Sequence, residues 1–346
     1  MFGRSSKPIR VQAFGKTDVG RSREHNEDRF LVADLTRQDA SLQPAVRQHD
    51  LGERGSLFVV ADGMGGAAAG ELASQMATDT IFAHLVKAWN SESEATPQRF
   101  AHRLKEAVEV ANASIHAHAK AHPEVRGMGT TTTAAGVLGD HLYLTQVGDS
   151  RAYLVRGGVA HQLTKDQSLM QRLVEAGELT EEEAAQSERR NIILQALGPD
   201  PKVKVDLTHQ EVRRGDVLVL CSDGLSGQVK KEEIAKIVTE ATDLSAACDR
   251  LITLANERGG PDNITVVMGR FDGDGLQASG TQEEVGHQVY PLIDTETSTE
   301  PVPIYKGSRP PVPNKEAREA RGRMFTIVLA ALAVLAAVVW YFTRSP

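Results

Sequence analysis

Apolar residues along the chain fall into two kinds of pattern. Six short runs rich in β-branched residues, at 57–61, 130–138, 141–147, 152–155, 217–221 and 264–268, have the length and composition of buried strands. Two longer stretches, 68–89 and 98–121, place apolar residues every three to four positions, as with Leu72, Met76, Thr80 or Ile81, and Leu85, and read as helices. No repeat is evident. Two long helices in succession, then runs of strands, then helices again, predict an α+β layering and not a repeated βαβ unit.

The pattern changes near the C-terminus. Residues 324–342, MFTIVLAALAVLAAVVWYF, carry no charge over 19 positions; as a helix they would span roughly 28 Å, close to the hydrocarbon thickness of a bilayer. Trp340 and Tyr341 stand where an interfacial aromatic belt falls, so the expectation is a C-terminal transmembrane helix. Residues 272–323 hold six prolines and no sustained periodicity, and read as a linker. Its first half, to Glu300, has seven acids and no Lys or Arg, whereas Lys306, Arg309, Lys315, Arg318, Arg321 and Arg323 gather toward the span. A basic juxtamembrane stretch suits an anionic inner leaflet and places the N-terminal region in the cytoplasm, with the tail 343–346 outside. The working domain is then 8–271, expected as a monomeric, membrane-anchored cytoplasmic unit.

Composition narrows the chemistry. The 346 residues carry 39 Lys+Arg against 46 Asp+Glu, a formal charge of −7, with 5% aromatic residues; this argues against a phosphate-backbone grip or base stacking, so no nucleic-acid partner is expected. Two cysteines, Cys221 and Cys248, and an N-terminus without an apolar signal region give no sign of an oxidising compartment.

The chemistry lies at the strand ends. The run 57–61 leads into Asp62-Gly63-Met64-Gly65-Gly66, 141–147 into Gly148-Asp149-Ser150, and 217–221 into Ser222-Asp223-Gly224; Asp262-Asn263 precedes 264–268, and Asn26-Glu27-Asp28 precedes Phe30-Leu31-Val32. Antiparallel pairing sets the end of one strand beside the start of its neighbour, so these acids can converge at one sheet end. Clustered carboxylates repel one another unless cations neutralise them. With only oxygen donors in the motifs, Mg²⁺ or Mn²⁺ is favoured over Zn²⁺. Gly63 lets its own carbonyl approach an ion. Two such ions about 4 Å apart would activate a bridging water toward a phosphorus or carbonyl centre.

Gly20-Arg21-Ser22-Arg23-Glu24-His25-Asn26-Glu27-Asp28, Ala61-Asp62-Gly63-Met64-Gly65-Gly66, Gly129-Thr130-Thr131, Gly148-Asp149-Ser150-Arg151, Ser222-Asp223-Gly224 and Asp262-Asn263-Ile264-Thr265 occur in this order. The set resembles the motif series of the metal-dependent type 2C serine/threonine protein phosphatases, bacterial branch, over about residues 9–271. The resemblance implies two packed antiparallel β-sheets flanked by helices. It also implies a binuclear Mn²⁺/Mg²⁺ centre and, as substrates, proteins phosphorylated on serine or threonine by an opposing kinase. Position by position, Asp62 matches the carboxylate bridging both metals and Gly63 a carbonyl ligand of the second. Asp223 and Asp262 match ligands of the first, and Glu27 and Asp28 acids acting through or beside metal-bound water. Asp149 matches a ligand, shared with Asp223, of a looser third ion. Arg23 matches the phosphate-binding arginine, whose planar fork pairs two phosphate oxygens.

The chain departs from the pattern at Ala67 and Gln167, where histidines would align, and at Met64, where animal members have a histidine thought to protonate the leaving group. That leaves the general acid unassigned, with metal-bound water as the default and His25 as the side-chain alternative. Residues 165–191 resemble the flap beside the site. Other readings are a membrane-tethered pseudophosphatase that only binds phosphoproteins, and a dinucleotide-binding oxidoreductase on the G-x-G-x-x-A spacing of Gly63 to Ala68. Retention of Asp62, Asp149, Asp223 and Asp262 argues against the first, and Asp79, falling inside a predicted helix, against the second. His116, His118 and His122 raise a zinc reading, but only His118 and His122 share a helical face. Gly15-Lys16-Thr17 lacks the earlier glycine of a P-loop, since that place is Arg10.

Overall fold

In the computed structural model, which describes residues 8–40, 47–187, 189, 191–278 and 284–292, the strands are β1 (Arg10–Asp18), β2 (Asp28–Asp34), β3 (Arg47–Asp50), β4 (Ser56–Met64), β5 (Gly129–Thr130), β6 (Thr132–Leu138), β7 (His141–Val147), β8 (Arg151–Arg156), β9 (Val159–Gln162), β10 (Asp206–Glu211), β11 (Val217–Cys221) and β12 (Ile264–Asp272). The helices are α1 (Ala67–His84), α2 (Pro97–Ala121), α3 (Leu169–Glu175), α4 (Glu181–Gln186), α5 (Asp223–Ser226), α6 (Lys231–Glu240) and α7 (Leu244–Glu257). One sheet has the order β3-β1-β12-β11-β8-β9 and the other β10-β7-β6-β4-β2, with β5 pairing β4. Every strand pair is antiparallel, as expected.

The alternating faces of these strands build the layers. Val11, Phe58, Val60, Leu144, Leu154, Leu220 and Phe271, drawn from both sheets, pack into one core between them. The opposite face of the first sheet, through Phe14, Tyr153, Val219 and Met268, buries Ile234, Val238, Leu251 and Ala255 of α6 and α7. The long helices α1 and α2 cover the second sheet through β4, β6 and β7.

Several elements differ from the periodicity. β3 and β10 have little apolar signal because each sits at a sheet edge, and β1 interleaves Gln12 and Lys16 with its buried Val11, Ala13 and Phe14. The single strand expected at 130–138 breaks at Thr131, whose amide bonds the Asp62 carbonyl at 2.8 Å. The helix expected at 68–89 changes to π-type hydrogen bonding over Leu85–Trp89, where the buried Trp89 indole donates to the Arg54 carbonyl at 2.9 Å.

The folded part also continues beyond the boundary expected at 271. Leu276 is buried and Val285 packs against the inter-sheet core. Val289 bridges to Thr208, the His209 amide bonds the Gln288 carbonyl at 2.9 Å, and the Tyr290 amide bonds the Leu207 carbonyl at 3.0 Å. The Tyr290 ring stands edge-on to Tyr143 at 5.3 Å, and its hydroxyl donates to Gln98 Oε1 at 2.8 Å. A polar, proline-containing stretch thus follows the edge of β10, because its few large residues find apolar partners there. The chain divides into two units, 1–304 and 305–346, and the described residues belong to the first. The expected transmembrane helix 324–342, the tail 343–346 and the linker from 293 to 323 lie outside the described residues. Among those described, no helix is long and apolar enough to cross a membrane.

Candidate active site

Both sheets deliver acids to one end of the sandwich. Asp28, opening β2, is the direct cross-strand partner of Asp62 near the end of β4. In the first sheet, Cys221 at the end of β11 lies opposite Arg151, which opens β8, and Val266 near the start of β12. That register brings together Asp149 just before β8, Asp223 just after β11 and Asp262 just before β12. A cleft of about 310 Å³ is lined by Arg23, Glu27, Asp62, Gly63, Asp149, Asp223 and Asp262. Asp28 is buried behind it. All eight residues singled out in the sequence therefore belong to one region.

Neighbouring polar groups hold the acids in place. Asp28 Oδ2 accepts from the Ser222 and Thr265 hydroxyls at 2.7 and 2.6 Å. The Asp62 amide donates to Thr131 Oγ1 at 3.2 Å, while its carbonyl accepts from Thr130 Oγ1 at 2.8 Å. Thr131 in turn meets the Ser150 hydroxyl at 2.8 Å, tying Asp62 to the turn that carries Asp149. Arg23 Nη2 donates to Asp262 Oδ2 at 2.7 Å. Asn263 accepts from the Glu27 amide at 2.9 Å and donates to the carbonyls of Val19 and His25, so it shapes the loop bearing Arg23 and Glu27.

The electrostatics calls for cations. Burial, then the charges of Asp28, Asp223 and Asp149, holds Asp62 well above the usual carboxylate range. Burial first, against the two hydroxyl donors, pushes Asp28 up to about 7, and burial with the charge of Asp223 pushes Asp149 up to about 7. Asp223 rises through burial and Asp262, and Glu27 through burial. Asp28 Oδ1 and Asp223 Oδ1 are buried acceptors with no hydrogen-bond partner. Orphaned carboxylate oxygens around a cleft fit hard divalent ions, whose remaining positions carbonyls and water can fill. Among the described residues no three acidic, thiol or imidazole side chains close on one point as a finished cage, so the acids surround the cleft as separate donors.

Comparison with known proteins agrees with this geometry. Residues 28–258 match the family model for Protein phosphatase 2C. The chain is 38% identical over 254 residues to the serine/threonine phosphatase stp of Listeria innocua, covering 73% of this chain and 93% of that one. The chain belongs to the protein phosphatase 2C family. It is also 40% identical over 232 residues to the serine/threonine protein phosphatase PstP of Mycobacterium tuberculosis, covering 67% of this chain and 43% of the relative. Among solved structures, that of the Mycobacterium tuberculosis phosphatase PstP/Ppp superposes with a TM-score of 0.63 at 36% identity, covering 76% of this chain and 99% of that one. The catalytic domain of PstP, solved in complex with 2 manganese ions, gives a TM-score of 0.61 over the same shares of the two chains.

Within this phosphatase 2C fold, the residues at which the chain departs from the motif series have definite surroundings. His25 is exposed and does not line the cleft, whereas Met64 does. Gln167 accepts from the Gly148 amide at 3.0 Å and donates to Asp206 Oδ2 at 2.9 Å, clamping the start of the flap to the Asp149 turn. The flap itself forms α3 and α4. Glu181, Glu182 and Glu183 occupy the first turn of α4, where the helix dipole favours acids, and Thr180 with Glu183 forms a capping box. Asn191 and Ile193 at the end of the flap reach the cleft, a contribution that motif spacing does not reveal.

Gly70 of α1 is a second unforeseen residue. A Cβ on it would collide with Glu27 Oε2, and one on Gly63 would collide with the Gly70 carbonyl. The pair lets α1 pass against the strand end that carries the site. Gly70→Ala should displace the Glu27 carboxylate and cut turnover at least ten-fold while the far-ultraviolet circular dichroism stays native. Unchanged turnover would mean that the Glu27 carboxylate has no fixed place in the reaction.

The dinucleotide and zinc readings of the motifs do not survive. Gly63 to Ala68 does link a strand to a helix, but a dinucleotide fold needs a parallel sheet, and every strand pair described is antiparallel. His118 and His122 stack at 4.2 Å between ring centroids, while His116 Nδ1 meets the Gly198 carbonyl at 2.9 Å. No histidine trio capable of holding a metal is found among the described residues.

Proposed function

We propose that this chain is a metal-dependent serine/threonine protein phosphatase that hydrolyses phosphoserine and phosphothreonine esters in proteins, counteracting a serine/threonine kinase. The observation that carries the reading is the meeting of Asp62, Asp149, Asp223 and Asp262 with Arg23 in one cleft. Two Mn²⁺ or Mg²⁺ ions held by Asp62, Asp223, Asp262 and the Gly63 carbonyl would supply the activated water and offset the carboxylate charge. Asp149 with Asp223 would serve a third, weaker ion. Arg23 is exposed at the rim, where its guanidinium can receive two phosphate oxygens. Asp262 holds that guanidinium in reach. Glu27 and Asp28 stand beside and behind Asp62, where they would orient the water around the ions. In the overall step a water oxygen joins phosphorus, the P–O bond to the side chain breaks, and the serine or threonine hydroxyl regains a proton. For the rest of the chain, the uncharged 324–342 stretch, flanked by Arg318, Arg321 and Arg323, supports anchoring of the domain on the cytoplasmic face of a membrane.

The test is hydrolysis of p-nitrophenyl phosphate and of a phosphothreonine peptide with Mn²⁺ and with chelator. Manganese-dependent release of phosphate from both supports the enzyme. Binding of the peptide without turnover would favour the pseudophosphatase.

A pH-dependent measurement tests the carboxylate cluster separately. Burial pushes Asp28 and Asp149 up to about 7 in the folded protein, from the ordinary carboxylate value of 3.8. Between those limits the cation-free folded protein binds more protons than the unfolded chain, so their contribution to stability is complete below about pH 4 and is lost as pH rises through about 7. In chelator, Tm should fall from pH 5 to pH 8, and the Tm gain on adding Mn²⁺ should be larger at pH 8. Equal gains at both pH values would remove these acids from the cation site.

A further inference from the structure

Behind the cleft, a chain of hydrogen bonds runs into Asp28 from a residue outside every motif that marks the family. Thr265 Oγ1 donates its one proton to Asp28 Oδ2 at 2.6 Å. In its 2.7 Å contact with Thr17 Oγ1, Thr265 is therefore the acceptor and Thr17 the donor. Thr17 Oγ1 accepts from Asn26 Nδ2 at 2.8 Å. The orientation of the Asn26 amide is fixed as well, since its Oδ1 accepts from the Asp28 backbone amide at 3.1 Å. The circuit thus leaves the backbone of Asp28, passes through Asn26, Thr17 and Thr265, and returns to its carboxylate. Ser222, whose hydroxyl oxygen accepts from the Thr265 amide at 3.0 Å, gives Asp28 Oδ2 its second donor. Asp28, Ser222 and Thr265 are buried while Thr17 and Asn26 are half-buried, so the Asp28 end of the circuit is shut off from bulk water. Oδ2 is saturated, while Oδ1 is buried and has no hydrogen-bond partner.

We propose that Thr17 and Asn26 are positioning residues of the metal centre, acting through Thr265 to lock the Asp28 carboxylate so that Oδ1 is kept for the cations and their water. The proposal rests on Asp28 belonging to that centre. Donors aligned in one direction polarise one another, so loss of the remote hydroxyl weakens the bond that Asp28 receives as well as the one removed.

The experiment compares Thr17→Val, which keeps the shape and removes the hydroxyl, with Thr17→Ser, which keeps the hydroxyl. Both are made in the full chain and in an Asp28→Asn background. Mn²⁺ affinity is read by calorimetry, and kcat and KM for p-nitrophenyl phosphate at saturating Mn²⁺. Thr17→Val should weaken Mn²⁺ binding roughly five- to ten-fold, the scale of one lost hydrogen bond between neutral groups, and lower kcat with KM unchanged. Thr17→Ser should restore both. In the Asp28→Asn background, Thr17→Val should add nothing, because its route is already cut. Wild-type Mn²⁺ affinity and kcat in Thr17→Val beside a crippled Asp28→Asn would overturn the relay alone. A serine variant no better than valine, or an additive loss in the double variant, would also overturn it. Wild-type Mn²⁺ affinity in Asp28→Asn by itself would overturn both the relay and the place of Asp28 in the centre.

Discussion

Asp62→Asn is expected to reduce kcat by about a thousand-fold or more, equivalent to roughly 4 kcal/mol of lost transition-state stabilisation. The size follows from its position. Asp62 pairs with Asp28 across the strands, shares the cleft with Asp149, Asp223 and Asp262, and has its backbone fixed on both sides by Thr130 and Thr131. An amide in that place keeps the volume and removes the charge that every neighbouring acid must be neutralised alongside. Because the side chain is held down by a repulsive cluster, the variant should melt no lower than the parent in chelator, and its loss should appear in kcat rather than in folding. Turnover within ten-fold of wild type in saturating Mn²⁺ would exclude Asp62 as a residue that holds the cations. A variant that is inactive because it is unfolded would be recognised by its lost near-ultraviolet dichroism.

The second large effect concerns where the domain ends. Truncation after Phe271 removes buried Leu276, the Val285 contact with the core, and the backbone and ring contacts of residues 288–290. That apolar burial and hydrogen bonding amounts to about 3 kcal/mol, or a Tm lower by roughly 6–10 °C for a domain of this size. Truncation after Leu292 should keep the melting temperature of the folded domain and its turnover. Differential scanning calorimetry of the two lengths decides the matter. Equal Tm values would mean that the segment following β10 contributes nothing to stability.

The acids of the site were legible because each sits beside a glycine or asparagine at the end of an apolar run, a local pattern. That they meet was legible only as a possibility. The pairing of Asp28 with Asp62, and of Cys221 with both Arg151 and Val266, joins residues far apart in the chain, and register is set by packing that no short window contains. Edge strands such as β3 carry polar residues because one side meets solvent, so the hydrophobic pattern passes over them. Gly70 looked like an ordinary small helical residue; its role appears only once Glu27 is seen against it. Asn263 and Gln167 act through amide groups whose partners lie in other loops, and the type of residue alone does not distinguish such a bridge from a solvated side chain. The stretch beyond 271 has the composition of a linker, because acids and prolines dominate it, yet Val285 and Tyr290 suffice to dock part of it.

The docked segment also decides how the domain would bear a mechanical load. The last hydrogen bonds and ring contacts among the described residues are those of Tyr290 and Pro291 with β10, Tyr143 and Gln98. Tension transmitted through the following residues would be met first by these bonds, at the outer edge of the second sheet. β12, whose start is preceded by Asp262, would feel it only after they yield. Under such a load the segment would act as a strain relief, yielding before the acidic end of the sandwich is disturbed.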